Sequence, residues 1–357
     1  MDSVKTYKGS RPGEKLLKKL CRAHNRAEVS LVLGLLLAGC AANETRLGTP
    51  SILHPRGFAA ARIGDLWWLM FGLGTLVYVV VMGAMLYALF RSRRNMPEEA
   101  VLKGTGSTKP LLWGGIIIPS MILFIVFGFT VGTLRAVSTP PGEEALTIEV
   151  IGFQWWWEVH YPEQQFYSAN EIHIPVGQPV ELKLTSRDVI HSFWVPQLHG
   201  KMDLNPHRVN TFWIQADQPG EYWGECAEYC GMQHAKMQFV VVAEPPQEFA
   251  AWLEQQSQPA PEPADELTQQ GREIFLSSSC IYCHRIRGTG ATGALGPDLT
   301  HLASRLTIGA GAADNNIGNL GGWISDPHSI KPGNLMPPSD LSGEDLQALL
   351  AYMQTLR

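Results

Sequence analysis

A cationic surplus is missing from this 357-residue sequence: 28 lysines and arginines stand against 33 aspartates and glutamates, a formal net charge of -5. Nucleic-acid binding leaves a basic footprint, so that class of function is excluded. Internal repeats are absent, and no alternation of strand and helix patterns marks a βαβ fold. Cysteine is scarce, six residues in all, yet four of them fall into two tight pairs. Charge is absent from two long runs, residues 66–90 and 111–133. Each run holds the ~20 predominantly apolar residues that a membrane-spanning helix requires, which predicts a transmembrane hairpin over residues 66–135.

Arg91, Arg93, Arg94, Lys103 and Lys109 lie between these runs. Basic residues collect on the cytoplasmic side, so the intervening loop faces the cytoplasm, and the N-terminus and everything after Arg135 lie outside. Near the start, Lys15, Lys18, Lys19, Arg22 and Arg26 precede a short apolar run, residues 31–38. That run is too short to span a bilayer and reads as the apolar region of a signal peptide. Leu-Ala-Gly-Cys at residues 37–40 resembles a bacterial lipoprotein signal, which implies cleavage before Cys40 and a lipid on its sulfur. Residues 1–39 are therefore expected to be a signal peptide, and 40–65 an exported N-terminal segment.

Residues 140–243 show short alternating runs at 146–150, 180–184, 209–213 and 237–241, bounded by Gly, Pro and Asp. Such alternation predicts half-buried strands of an all-β sandwich. A helix over 246–256 and a Pro-rich stretch at 258–264 form a linker, residues 244–264. The last domain, 265–357, opens with a helical pattern through Leu267, Gly271 and Phe275. It closes with another whose N-cap is Ser342 and whose stripe is Leu346, Leu349, Leu350 and Met353.

Both cysteine pairs lie on the oxidising side, where a disulfide is the default. Cys280-Ile-Tyr-Cys283-His284 is instead the attachment pattern of a c-type haem, with two thioethers and an adjacent axial histidine. An electron carrier places a thioether opposite that histidine. Met336, in a Pro-rich loop, is the candidate; Met353 fits the core stripe, and His301 and His328 are alternatives. The segment resembles a class I cytochrome c domain, with Pro297 where that family buttresses the proximal histidine.

Cys226, Cys230, His234 and Met237 sit within twelve residues. Thiolate with thioether selects copper over zinc. Two thiolates make sense as bridges between two coppers, each copper then needing a terminal imidazole. One imidazole is His234, and the other must come from elsewhere. His191 has the right context between candidate strands, whereas His160, His173, His199 and His207 do not. Met232 reads as packing.

Here the chain resembles subunit II of haem-copper cytochrome c oxidases over residues 60–243, and the added haem makes it similar to the caa-type branch. The resemblance implies a cupredoxin-like sandwich. In it, His191, Cys226, the Glu228 carbonyl, Cys230, His234 and Met237 bind the two-copper centre CuA. It also implies magnesium on the Glu228 carboxylate at the subunit I interface, Trp155 as the residue where electrons enter, and Asp203 and Arg208 near that interface. The partners implied are subunit I and other oxidase subunits, cytochrome c as donor, and the bilayer of a bacterial inner membrane, with both metal domains on its outer face. The fold expected is thus multidomain: a two-helix transmembrane hairpin, an all-β cupredoxin-like sandwich and an all-α class I cytochrome c domain. The function implied is electron transfer from cytochrome c through haem c and CuA to subunit I, which reduces oxygen and pumps protons. One departure stands out: residues 108–113 lack the glutamate the family places before the second span. Rival readings are a CuA module serving nitrogen-oxide reduction and a copper-delivery lipoprotein.

Overall fold

The computed structural model describes residues 51–91, 108–143 and 146–357. The signal-like segment with Cys21 and Cys40, and the loop with Arg93, Arg94, Glu98, Glu99 and Lys103, lie outside those residues.

Helix α1 is Phe58–Arg91, and α2 is Lys109–Ser138 with one π-turn at Trp113–Ile117. At 34 and 30 residues and about 1.5 Å of rise per residue, each is longer than the ~30 Å hydrocarbon core. The first helix begins eight residues before the charge-free run, and the reason is tertiary. Its first turn docks on the sandwich, burying Ala59 and Ala60, with the Ala60 amide donating to Leu198 O at 3.1 Å. The C-terminal end of α2 docks on the same region: Val137 O accepts from Trp213 Nε1 at 2.9 Å and lies 3.3 Å from His199 Nε2. No acidic residue occupies the first turn of α2.

The strands are β1 Thr147–Phe153, β2 Trp156–Tyr161, β3 Phe166–Ala169, β4 Glu171–Pro175, β5 Val180–Ser186, β6 His191–Trp194, β7 Met202–Leu204, β8 Asn210–Ile214, β9 Gly220–Cys226 and β10 Gln238–Glu244. They form two five-stranded sheets, in the orders β3-β2-β1-β5-β8 and β4-β10-β9-β6-β7. Strict alternation along β1 and β5 turns Ile148, Val150, Leu182 and Leu184 inward against Phe193, Phe239 and Val241 of the facing sheet. The aromatic run at 153–157 is broken by a turn. Gln154 and Trp155 form it, with a cis peptide between them, and Phe153 pairs with Trp156 across the hairpin. Trp156 stacks on Phe153 at 4.6 Å, Trp157 is fully buried, and Trp155 leaves the sheet.

Helix α3, Pro246–Ser257, follows the last strand and lays Phe249 and Trp252 on the sandwich, where Trp252 stacks on His173. The C-terminal domain comprises α4 Glu266–Ser277, α5 Cys280–Cys283, a small hairpin β11 Thr307–Ile308 with β12 Ala313–Asp314, α6 Ile317–Ser325, α7 Pro327–Ile330 and α8 Gly343–Thr355. That hairpin and an isolated bridge between Arg285 and Thr292 depart from an all-α domain. Asp265 caps α4 in a reciprocal capping box with Thr268, and Ser342 caps α8. The two helices cross closely at Gly271, where any Cβ would strike the Ala348 carbonyl and approach Tyr352 Cβ at 2.8 Å.

Candidate metal centres

Strand β9 ends in Cys226, and the chain returns to β10 through an eleven-residue loop carrying Glu228, Cys230, His234 and Met237. Strand β6 delivers His191 beside it, since Phe193 pairs with Cys226 and Ala227 N donates to Ser192 O at 2.9 Å. Sheet pairing thus brings together residues 35 apart in sequence. The Cys226 and Cys230 sulfurs stand 3.8 Å apart, unbonded. His191 Nδ1 lies 3.9 Å from Cys226 Sγ, and His234 Nδ1 lies 3.7 Å from Cys230 Sγ. Met237 Sδ is 3.3 Å from Cys230 Sγ, and the Glu228 carbonyl oxygen is 3.2 Å from Cys226 Sγ. Two thiols side by side, each with its own imidazole and a thioether close by, form a soft sulfur and nitrogen donor set of the kind that suits copper. His191, Cys226, Cys230 and Met237 are buried, while Glu228 faces outward.

The groups around these candidate ligands fix their orientation. His191 Nε2 is engaged by Asp188 Oδ1 at 2.9 Å, which leaves Nδ1 for the thiols. Any Cβ on Gly152 would come within 2.8 Å of the His191 ring, so the backbone of β1 closes that side. Trp157 Nε1 donates to the Met237 carbonyl at 3.1 Å. The Cys230 carbonyl accepts from Gln154 Nε2 at 2.8 Å and from Trp155 Nε1 at 3.1 Å. Asp188, Gln154 and Trp157 are functional neighbours that the sequence reading passed over. Asp188, three residues before a candidate ligand in a loop, carried a readable signal.

Electrostatically the two thiols behave as a pair. The hydrogen bond between the two sulfurs, against the cost of burial and helped by bonds to His191 and the backbone, holds the Cys226 thiol well below its ordinary value. The same bond, with burial, pushes Cys230 up. Burial acts most strongly on His191 and would lower it, yet the bonds to Asp188 and Cys226 hold it above its ordinary value.

Three other histidines of the sandwich are engaged in structure, while His207 is exposed at a turn with positive φ. His160 meets Glu149 at 2.9 Å, His173 meets Glu244 at 3.1 Å, and His199 packs on Phe212 and Trp213. Burial, offset weakly by the Val137 carbonyl, lowers His199 to about 4. Met232 is 77% exposed and lies against Gly333 of the C-terminal domain.

In that domain Cys280 and Cys283 bracket the single turn α5 as free thiols, and His284 caps it. His284 Nδ1 is held by the Pro297 carbonyl at 2.8 Å, which leaves Nε2 as the nitrogen for a metal. Burial keeps this imidazole below its ordinary value and hence neutral, the form that ligates a metal. A Cβ on Gly296 would come within 2.7 Å of the His284 ring. Tyr282, Leu295 and Leu335 are 73–75% exposed. They are sequence neighbours of the Cys-x-x-Cys-His turn, the Gly296-Pro297 segment and Met336, and such exposed apolar side chains are ones a bound porphyrin would cover. Met336 lies partly buried in the loop after α7, its amide donating to Asn334 Oδ1 at 2.8 Å. Met353 is in the core, His301 bonds to Gln258 O through Nε2, and His328 Nδ1 accepts from Gly333 N.

The family model described as "Cytochrome C oxidase subunit II, periplasmic domain" matches residues 164–244, and the one described as "Cytochrome c" matches 268–357. Cytochrome c oxidase subunit 2 of Alkalihalophilus pseudofirmus is 37% identical over 345 residues, covering 95% of this chain and 99% of that protein. Its counterpart in Bacillus subtilis is 32% identical, covering 90% and 95%. The solved periplasmic domain of subunit II of cytochrome oxidase from Bradyrhizobium japonicum is 32% identical, covering 32% of this chain and 95% of that one, with a TM-score of 0.31. With its two apolar helices, copper-type sandwich and cytochrome c domain, the chain belongs to the cytochrome c oxidase subunit 2 family, as a membrane-anchored oxidoreductase subunit.

Proposed function

We propose that this chain is the subunit through which electrons enter a proton-pumping oxidase of the bacterial inner membrane. It takes electrons from cytochrome c and hands them to subunit I, where oxygen is reduced to water. The observation that carries this reading is the pair of unbonded thiols 3.8 Å apart, each with its own imidazole.

His191, Cys226, Cys230, His234, Met237 and the Glu228 carbonyl would hold two coppers. Cys280 and Cys283 would anchor the haem, with His284 and Met336 on its iron. When bound, CuA and haem c supply one-electron carriers, and His/Met ligation favours a high haem potential. The protein's part is to keep the ligands rigid and dry. Asp188 orients His191, Trp157 holds the backbone at Met237, and Pro297 orients His284. Trp155, bonded to the Cys230 carbonyl, is the residue where electrons reach the copper domain. The outward carboxylate of Glu228 would bind magnesium against subunit I, the two spans would dock on that subunit, and a lipid on Cys40 would add a second anchor.

The test uses the assembled oxidase with Cys226→Ser and Cys230→Ser. Reduced cytochrome c should still reduce the fused haem, while oxygen uptake from that donor stops. Uptake continuing at the wild-type rate would contradict the assignment.

A further inference from the structure

The cytochrome domain does not hang from its linker as a free body. Ala310, at the tip of the β11–β12 hairpin, is 1% exposed and is packed among the core residues of the sandwich. Three successive residues with positive φ, Gly309, Ala310 and Gly311, shape that tip. A Cβ on Gly311 would come within 2.9 Å of Gln238 Cβ. Gln238 N donates to Ala310 O at 3.0 Å, Leu306 N donates to Glu171 Oε1 at 2.6 Å, and Arg285 Nη2 donates to Glu158 Oε2 at 3.3 Å. Glu158 and Glu171 are themselves buried.

Within this junction lies a buried cation held by carbonyls of both domains. Lys331, just past α7, is 2% exposed. Its Nζ donates to Gly309 O at 2.9 Å and to Trp155 O at 2.9 Å. A buried ammonium is costly unless its protons are taken up, and here the acceptors are carbonyls, not carboxylates. One acceptor belongs to its own domain and the other to the turn of the copper domain that bonds to Cys230. A lysine serving only its own domain has no need of the second.

We propose that Lys331 is a positioning residue: it latches the cytochrome domain onto the Gln154–Trp155 turn and holds the Trp155 indole in register with the Cys230 carbonyl. The idea rests on the role given to Trp155 above. The side chain spans the junction two residues from Gly333, which itself lies against Met232 of the copper loop.

The test uses the full oxidase carrying Lys331→Met or Lys331→Arg. Two readouts are taken: amide hydrogen exchange, and haem-to-copper electron equilibration after flash reduction. In K331M the Leu306 and Gln238 amides, both bonded across the junction, should exchange about tenfold faster while those of α4 and α8 stay as they were. Equilibration should slow by about tenfold with haem and copper spectra unmoved, and K331R, which keeps both donors, should restore both readouts. Unchanged exchange at Leu306 and Gln238 overturns the latch. So does faster exchange spread through α4 and α8, which would make Lys331 a support of its own domain. If K331M does not accumulate, K331Q is read by the same two criteria. A wild-type protein without a two-copper signal would refute the function of Trp155, and the exchange measurement would still judge the latch.

Discussion

Trp155 Nε1 donates to the carbonyl oxygen of Cys230 at 3.1 Å, so the indole is tied to the backbone of a residue whose sulfur sits in the donor cluster. The Gln154 amide shares the same acceptor at 2.8 Å. Trp155→Phe keeps a ring and loses one of two donors, so the cost in stability should be about 1 kcal/mol. Copper content should be unchanged, while electron transfer into copper slows by about tenfold, equivalent to ~1.4 kcal/mol of barrier. Stopped-flow reduction and copper analysis of the same preparation check both halves.

Asp188 acts on His191 from outside the cluster. Its Oδ1 fixes the ring, and its Oδ2 accepts from Gln154 N at 2.7 Å, so one carboxylate sets both the ligand and the turn. Asp188→Asn should lower copper affinity by about 10–100-fold, the usual cost of losing such a support. Competition against a chelator of known affinity measures it.

Met336→Ala should lower the haem potential and leave the copper signal intact, because Met336 lies in the cytochrome domain and Met237 in the copper loop. Redox titration of the haem band, with copper spectra taken alongside, decides the point. Substituting the core residue Met353 should instead destabilise the domain by about 2–5 kcal/mol, as truncation of a buried methionine does.

His199 makes stability fall in acid. Burial holds its folded value at about 4, against an unfolded value of ~6.5. Between those values the unfolded chain binds the proton and the folded one does not. Stability is therefore full above pH ~6.5 and declines as pH falls toward 4, by up to about 3 kcal/mol from this residue alone. Denaturant titrations at several pH values should show this slope in wild type and lose it in His199→Gln.

The copper loop could be read from sequence because its candidate donors are local: Cys226, Cys230, His234 and Met237 lie within twelve residues, and thiolate with thioether narrows the metal by chemistry alone. His191 required a search, since only the pairing of β6 with β9 brings it to Cys226. Strands 146–150 and 180–184 appear nearly as expected, because each buries one face and alternates cleanly. The turn at 154–155 does not, because an aromatic run carries no local sign of a break. The early start of α1 was hidden by Arg62 and Asp65, whose charges end an apolar window although the backbone continues as helix against the sandwich. Lys331 lies beside Pro332 and Gly333 and reads as a solvated loop residue; its burial follows from the docking of two domains, which local pattern does not encode.

The most direct test of the whole account is paramagnetic resonance of the full chain, with metal analysis of the same sample. The prediction is two coppers per chain in a mixed-valence signal, with electron spin shared between them, beside a low-spin c-type haem. One copper per chain, or a disulfide joining Cys226 to Cys230, would contradict it.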